Sequence, residues 1–221
     1  MIRQMLVIAP HADDETIACG GTIAKKINQG YKVNIIVVTK GEKSHTKVDS
    51  IKLKTEELLP EIREKECVSA CLKLGIKSEN ITFFRLNDGE VDSEIENLSE
   101  LLADYFSKYK DLNQLEYYFP HPLDFHPDHK TVGQVMLNWL QKMEKLPSFF
   151  MYRVYVSVTK KIPGKTIKED ITDFLTLKKE ALSTYSSQVS TFFENQSKAI
   201  LSEDFLTPHV DTTFEEFYVL K

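Results

Sequence analysis

Residues 9–15 read APHADDE and place His11, Asp13, Asp14 and Glu15 directly behind the apolar run MLVIA at 5–9. Adjacent acids at the end of a buried strand repel one another and lose hydration, so the cluster needs a positive partner. A second cluster, HPLDFHPDH at 121–129, contributes His121, His126 and His129 together with Asp124 and Asp128. A divalent cation shared by the two segments makes clustered carboxylates favourable and holds imidazoles neutral. His11 and Asp14 offer two ligands from one loop, and His129 offers a third from far along the chain. Two histidines and one carboxylate leave a fourth position for water, the pattern of a catalytic zinc site. Zinc, or another divalent metal in its place, acidifies a bound water and polarises a carbonyl oxygen. Asp13 is then free to act as general base. His126 is free to stabilise an oxyanion and protonate a departing amine, with Asp128 orienting it.

Plainer readings exist for each piece. HxxD is a common spacing, Asp13 and Asp14 suit a helix start, and HPDH is also a turn with a helix cap at Asp128. The weight lies in the coincidence of two histidine–acid segments, both at the ends of expected strands. His45 and His209 stand apart from both and read as ordinary surface residues.

The elements that must position these residues alternate along the first half of the chain. Strands are expected at 5–9, 32–39 (KVNIIVVT), 80–86 (NITFFRL) and 115–120 (LEYYFP). Between them lie helical patterns: TIAKKINQG, 56–74, 93–110 and 130–143. The 56–74 pattern carries Leu58, Leu59, Ile62, Cys67, Ala70, Cys71 and Leu74 on one stripe. Continuous apolar strands between helices predict a mostly parallel sheet covered on both faces, an α/β three-layer sandwich of Rossmann-like kind. In such sheets ligands bind beyond the carboxyl ends of the strands, where both clusters fall. The second half predicts an edge strand at 149–158 and a helix over 170–188 opened by Thr172 or Asp173. A further helix near 190–203 and a terminal apolar stretch complete it. The polar stretch 40–55 reads as a mobile loop. No repeat or linker divides the 221 residues, so one domain over 1–221 is expected.

An apolar fraction of 42% with 28% charged residues is that of a globular protein, and a net charge of −5 argues against nucleic acid as a partner. No run approaches the ~18 apolar residues of a membrane span, and no signal-peptide pattern opens the chain. Cys19, Cys67 and Cys71 form no CxxC pair and read as buried thiols of a reducing, cytoplasmic setting. CGGT at 19–22 matches neither GxGxxG nor a P-loop, which disfavours a nucleotide site.

The opening VIAPHADDETIACGGTIAKKINQGYKVNIIVVTKGE resembles the LmbE-like, or PIG-L-type, zinc N-deacetylases, whose first motif runs (P/A)HPDDE before a glycine pair and whose second is an HxDH-type segment, here HPDH. REKECVSACLKLGI (63–76), RLNDGEV (85–91), DIT (170–172), KKEALSTYSSQ (178–188) and EEF (215–217) extend the likeness over nearly the whole chain. The resemblance implies zinc ligation by His11, Asp14 and His129, with Asp13 as base and His126 serving the oxyanion and amine. It also implies substrate contacts from Arg63 and, less directly, Asp88. Ala12 stands where the family usually has proline, which removes a rigid φ but no ligand. His121 and Asp124 are additions that would reshape the substrate pocket or offer another metal ligand. The implied reaction is hydrolysis of an N-acetyl group from a small amino sugar or sugar conjugate. A zinc amidase acting on a larger N-acyl or thiol-conjugate substrate is the alternative, as is a non-catalytic sugar-binding module. Assembly into a homo-oligomer stays open.

Overall fold

A computed structural model describes residues 3–46, 52–155, 164–194 and 196–219. Its first half follows the expected alternation: β1 (Gln4–Ala9), α1 (Asp14–Asn28), β2 (Lys32–Thr39), α2 (Lys52–Lys73), β3 (Ile81–Leu86), α3 (Ile95–Ser107), β4 (Leu115–Pro120) and α4 (Pro127–Gln141). β5 (Phe149–Tyr152), β6 (Lys165–Asp170), α5 (Leu175–Leu182), α6 (Ser186–Val189), α7 (Glu203–Val210) and β7 (Phe214–Val219) follow. The seven strands form one sheet in the order β3-β2-β1-β4-β5-β7-β6. β3 through β5 run parallel, and β7 pairs antiparallel with both β5 and β6. The mostly parallel α/β sandwich read from the sequence is the observed fold.

Alternation along β1 divides the interior in two. Met5 and Val7 face a core shared with α1, α2 and α5, whereas Leu6 and Ile8 face one shared with α3 and α4. Both faces of β1 are therefore buried, which is why its sequence is a continuous apolar run. The chain leaves β1 to one side and β4 to the other, so the loops after these two strands open a crevice at the switch point of the sheet.

The C-terminal half departs from expectation in three places. β5 is not an edge strand, because β7 returns to pair with it and the edge falls to β6; residues 156–158 of the expected strand lie outside the described residues. The helix expected over 170–188 is divided into a 3₁₀ turn at Thr172–Phe174, α5 and α6. Asp170, not Thr172 or Asp173, caps its start by accepting the Thr172 N–H at 2.9 Å. No helix spans 190–201 among the described residues, and the helix of that region is α7, capped by Ser202. In α2, Leu58 lies off the buried stripe at 53% exposure. Of the stretch 40–55, residues 47–51 lie outside the description, while Gly41, Glu42 and His45 are buried and Lys52 already begins α2.

One buried ion pair docks the C-terminal half onto α1. Glu215 of β7 accepts the backbone N–H groups of Gly21 and Thr22 at 2.9 and 2.8 Å and the Lys178 ammonium at 2.7 Å. Gly21 is required by this approach, since a Cβ there would lie 2.6 Å from Ile171. The glycine pair thus lets a C-terminal segment pack closely on α1. The three cysteines are free and buried, as expected. No helix among the described residues is long and apolar enough to cross a membrane.

Candidate functional site

The loop after β1 and the start of α4 meet over the crevice. His126 is the N-cap of α4 and Pro127 its first residue, a placement natural to proline, whose missing N–H is not needed there. The helix therefore begins before the expected 130 and carries His129 in its first turn. His11 Nδ1 lies 3.2 Å from Asp14 Oδ2, His129 Nε2 lies 3.1 Å from the same oxygen, and the two nitrogens are 3.3 Å apart. A tetrahedral ion with bonds of about 2.0–2.1 Å separates its ligands by about 3.3 Å, so this triangle has the size of a zinc ligand face.

Each imidazole has a carboxylate on its other nitrogen. His11 Nε2 faces Asp128 Oδ2 at 3.1 Å and Asp88 Oδ1 at 3.3 Å. His129 Nδ1 faces Asp124 Oδ2 at 3.4 Å, long for a hydrogen bond. Carboxylates in these positions fix the tautomer and orientation of metal-binding histidines. They are themselves held: Asp128 accepts the Gly89 N–H at 2.8 Å, and Asp124 accepts those of Val154 and His126 at 3.0 and 3.2 Å.

The electrostatics ask for a cation. Burial lowers the affinity of His11 and His129 for protons, yet the surrounding carboxylates outweigh it, raising His11 well above its usual range and His129 to about 9. Burial also raises Asp14, but the His129 and His11 imidazoles hold it well below the usual carboxylate range. Protons drawn onto both rings stand in for the charge a divalent ion would bring. These residues fit such an ion; His11, Asp88 and Asp128 form a second, more acidic donor group around the same ring.

Asp13 and His126 remain beside the triangle. Asp13 takes φ 141° and ψ −28°, a region disfavoured for any side chain and costing of the order of 1–3 kcal/mol. Its carboxylate accepts from Arg63 Nη2 at 3.0 Å. Burial pushes it up to about 7 against the opposing pull of Arg63, near the value suited to a general base at neutral pH. His126 Nδ1 accepts the Asp128 N–H at 3.3 Å, which leaves the ring proton of the neutral form on Nε2. Burial and the His11 and His129 charges lower this ring to about 4, keeping it neutral.

A cavity of about 530 Å³ opens over these groups, within the range of small-molecule sites. Lys43, Ser44 and Asp88 form a polar wall, and Tyr155, Leu201 and Phe205 an apolar one. Phe125 stands at its lip at 72% exposure.

Several expected roles change on this geometry. Arg63 lines the cavity as expected but is only 3% exposed, and its Nη atoms are engaged by Asp13, Ala12 O and Gly41 O, so it also braces the loop. Gly41 makes room for it, because a Cβ there would lie 2.3 Å from Nη1. Asp128 touches His11, and it is its backbone N–H, not its carboxylate, that orients His126. Asp124 is fully buried behind His129 and is not a cavity-lining residue. His121 accepts the Leu123 N–H and meets Tyr218 edge-on, away from the cavity lining. His45 is buried against Phe193, not a surface residue, and His209 Nε2–H donates to Val154 O at 2.8 Å, which fixes that tautomer. Sequence reasoning missed Tyr155, stacked 5.3 Å from His126, and Glu15 as a packed residue in its own right. For Tyr155 no motif signals its place; for Glu15 the signal was a third acid too many for one ion.

A protein of Bacillus cereus named "Probable N-acetyl-alpha-D-glucosaminyl L-malate deacetylase 2" is 25% identical over 209 residues, 94% of this chain and 93% of that one. The solved N,N'-diacetylchitobiose deacetylase of Pyrococcus horikoshii superposes with a TM-score of 0.70 at 22% identity, covering 99% of this chain and 84% of that one. The 4-carboxy-2-hydroxymuconate hydratase of Pseudomonas putida KT2440 shares the fold at TM-score 0.64 and 20% identity, covering 85% of this chain and 80% of its own. Likeness at this level establishes architecture and leaves chemistry to the site. The family model described as PIG-L, GlcNAc-PI de-N-acetylase, matches residues 6–140, the segment holding both histidine–acid clusters, and the chain belongs to that family.

Proposed function

We propose that this chain is a metal-dependent hydrolase that removes the N-acetyl group from a small N-acetylglucosaminyl conjugate, within one domain over residues 1–221. The observation that carries this reading is the triangle of His11 Nδ1, Asp14 Oδ2 and His129 Nε2, with sides of 3.1–3.3 Å, beside two further groups that simple ion storage does not need. Zinc, or another divalent ion held there, would supply acidity to water and polarise the acetyl carbonyl.

Asp13 takes the proton of the attacking water. His126 Nε2–H, with Nδ1 occupied by a backbone donor, gives a hydrogen bond to the carbonyl oxygen as negative charge develops there. Since the neutral ring has no second proton to lose, Asp13 returns the proton to the departing amine, a change from the role expected of His126. Asp88 and Lys43 line the polar wall, the Lys43 ammonium being paired with Glu90, and would offer polar contacts suited to sugar hydroxyls.

Support for a glucosaminyl substrate comes from the B. cereus relative, which is named for a glucosaminyl malate, and from cavity size. Incubation with a panel of N-acetylated glucosaminyl conjugates, read by acetate release, tests it. Release abolished by a chelator and restored by zinc is expected. A metal-replete protein that releases acetate from none of them, but cleaves longer N-acyl conjugates, would favour the larger-substrate amidase.

A further inference from the structure

Glu15 has no part in the chemistry above, yet it is fully buried next to two residues that do. Its Oε2 accepts the backbone N–H of Asp13 at 3.1 Å. Its Oε1 accepts the Thr16 hydroxyl at 2.7 Å and the hydroxyl of Tyr185, a fully buried side chain at the corner between α5 and α6. The sulfurs of Cys67 and Cys71 lie within 4.8 Å of the same carboxylate and close the space around it.

The peptide between Ala12 and Asp13 is thereby gripped at both ends. Arg63 Nη2 donates to its carbonyl at 2.8 Å, and Glu15 accepts its N–H. This is the peptide that leads into the φ of 141° at Asp13. Rotating it would relieve the strain but would bury an unpaired N–H and carbonyl, so the grip opposes the relaxation. Because Asp13 follows directly, the orientation of this peptide sets where its carboxylate stands relative to Arg63 and the cavity.

We propose that Glu15 and Tyr185 are positioning residues: they clamp the Ala12–Asp13 peptide in its strained orientation and so aim the Asp13 carboxylate. The C-terminal half thus contributes to catalysis through Tyr185 without touching substrate. The proposal rests on the reading of Asp13 as general base.

Tyr185→Phe removes one hydroxyl and keeps the ring. The expected result is a fall in kcat of about tenfold to a hundredfold, with KM and metal content unchanged and faster hydrogen exchange at the Asp13 amide. In an Asp13→Asn background the same substitution should cost nothing further. Glu15→Gln, which has one acceptor where the wild type uses two, should behave alike. Unchanged kcat together with unchanged Asp13 amide exchange would overturn the proposal, as would loss of metal in step with kcat or losses that multiply with those of Asp13→Asn. Were Asp13→Asn itself fully active, the base reading would fall, while faster exchange in Tyr185→Phe would still establish the clamp.

Discussion

His11 Nδ1 and His129 Nε2 stand 3.3 Å apart although 118 positions separate the residues in the chain. β1 and β4 bring them there as parallel neighbours, so the sheet itself sets the distance. Asp14 Oδ2 sits within hydrogen-bond distance of both nitrogens. Two basic rings converging on one carboxylate oxygen form an arrangement a cation completes.

His129→Ala is expected to lose the metal and all turnover together. Asp124→Asn, which removes the charge behind His129 and one of the oxygens that accept the Val154 and His126 N–H groups, should weaken metal binding by about 10–100-fold while leaving KM for substrate unchanged once metal is saturating. Chelator competition followed by kinetics at high metal checks both. A raised KM with undiminished metal affinity would instead place Asp124 against the substrate.

Asp13→Asn should keep its metal and lose about 10²–10⁴ in kcat, the usual contribution of a positioned base. His126→Ala should also keep its metal and lose about 10²–10³, through the missing donor at the carbonyl oxygen. Metal analysis alongside single-substrate kinetics separates these variants from His129→Ala.

Much of this site was legible in the sequence because metal ligation and parallel strands both leave local marks. Continuous apolar runs gave β1, β2, β3 and β4, and the two histidine–acid segments fall at strand ends. What was not legible depends on contacts between distant segments. β5 looked like an edge because its partner β7 lies more than 60 positions further on. Nothing in its own helix announces that Arg63, which lines the cavity, also has its Nη atoms held by Gly41 O, Ala12 O and Asp13. Asp124 and Asp128 differ in role only through which backbone N–H and which histidine each meets. The expected helix near 190–203 is a loop whose apolar residues serve separate places: Phe193 packs on His45, while Ile200 and Leu201 line the cavity.

Breaking the Lys178–Glu215 pair should destabilise the whole fold. Glu215→Ala leaves a buried ammonium and two backbone N–H groups without an acceptor and is expected to cost about 3–5 kcal/mol. For a chain of this size that is a fall in Tm of roughly 6–20 °C. Thermal unfolding of the variant measures it, and a shift under a degree would mean that water replaces the carboxylate.

Acid should weaken the fold through His209. Burial lowers this ring from 6.5 to about 4, with Lys178 adding to the effect. Between those pH values the unfolded chain binds a proton that the folded chain refuses, so stability falls as pH drops through the window and is flat above it. The contribution reaches up to about 3 kcal/mol. His209→Gln, which keeps a donor for Val154 O, should flatten that part of the denaturation profile. An unchanged slope would assign the acid sensitivity to other groups.

X-ray absorption at the edge of the bound metal tests the central claim most directly, because it reads the ligands and not only the content. About one ion per chain with a shell of nitrogen and oxygen at about 2.0–2.1 Å and no sulfur is the result expected for His11, Asp14 and His129. A sulfur shell near about 2.3 Å would place the ion instead with Glu15, Cys67 and Cys71, a buried donor group that carries thiols, and would contradict the account.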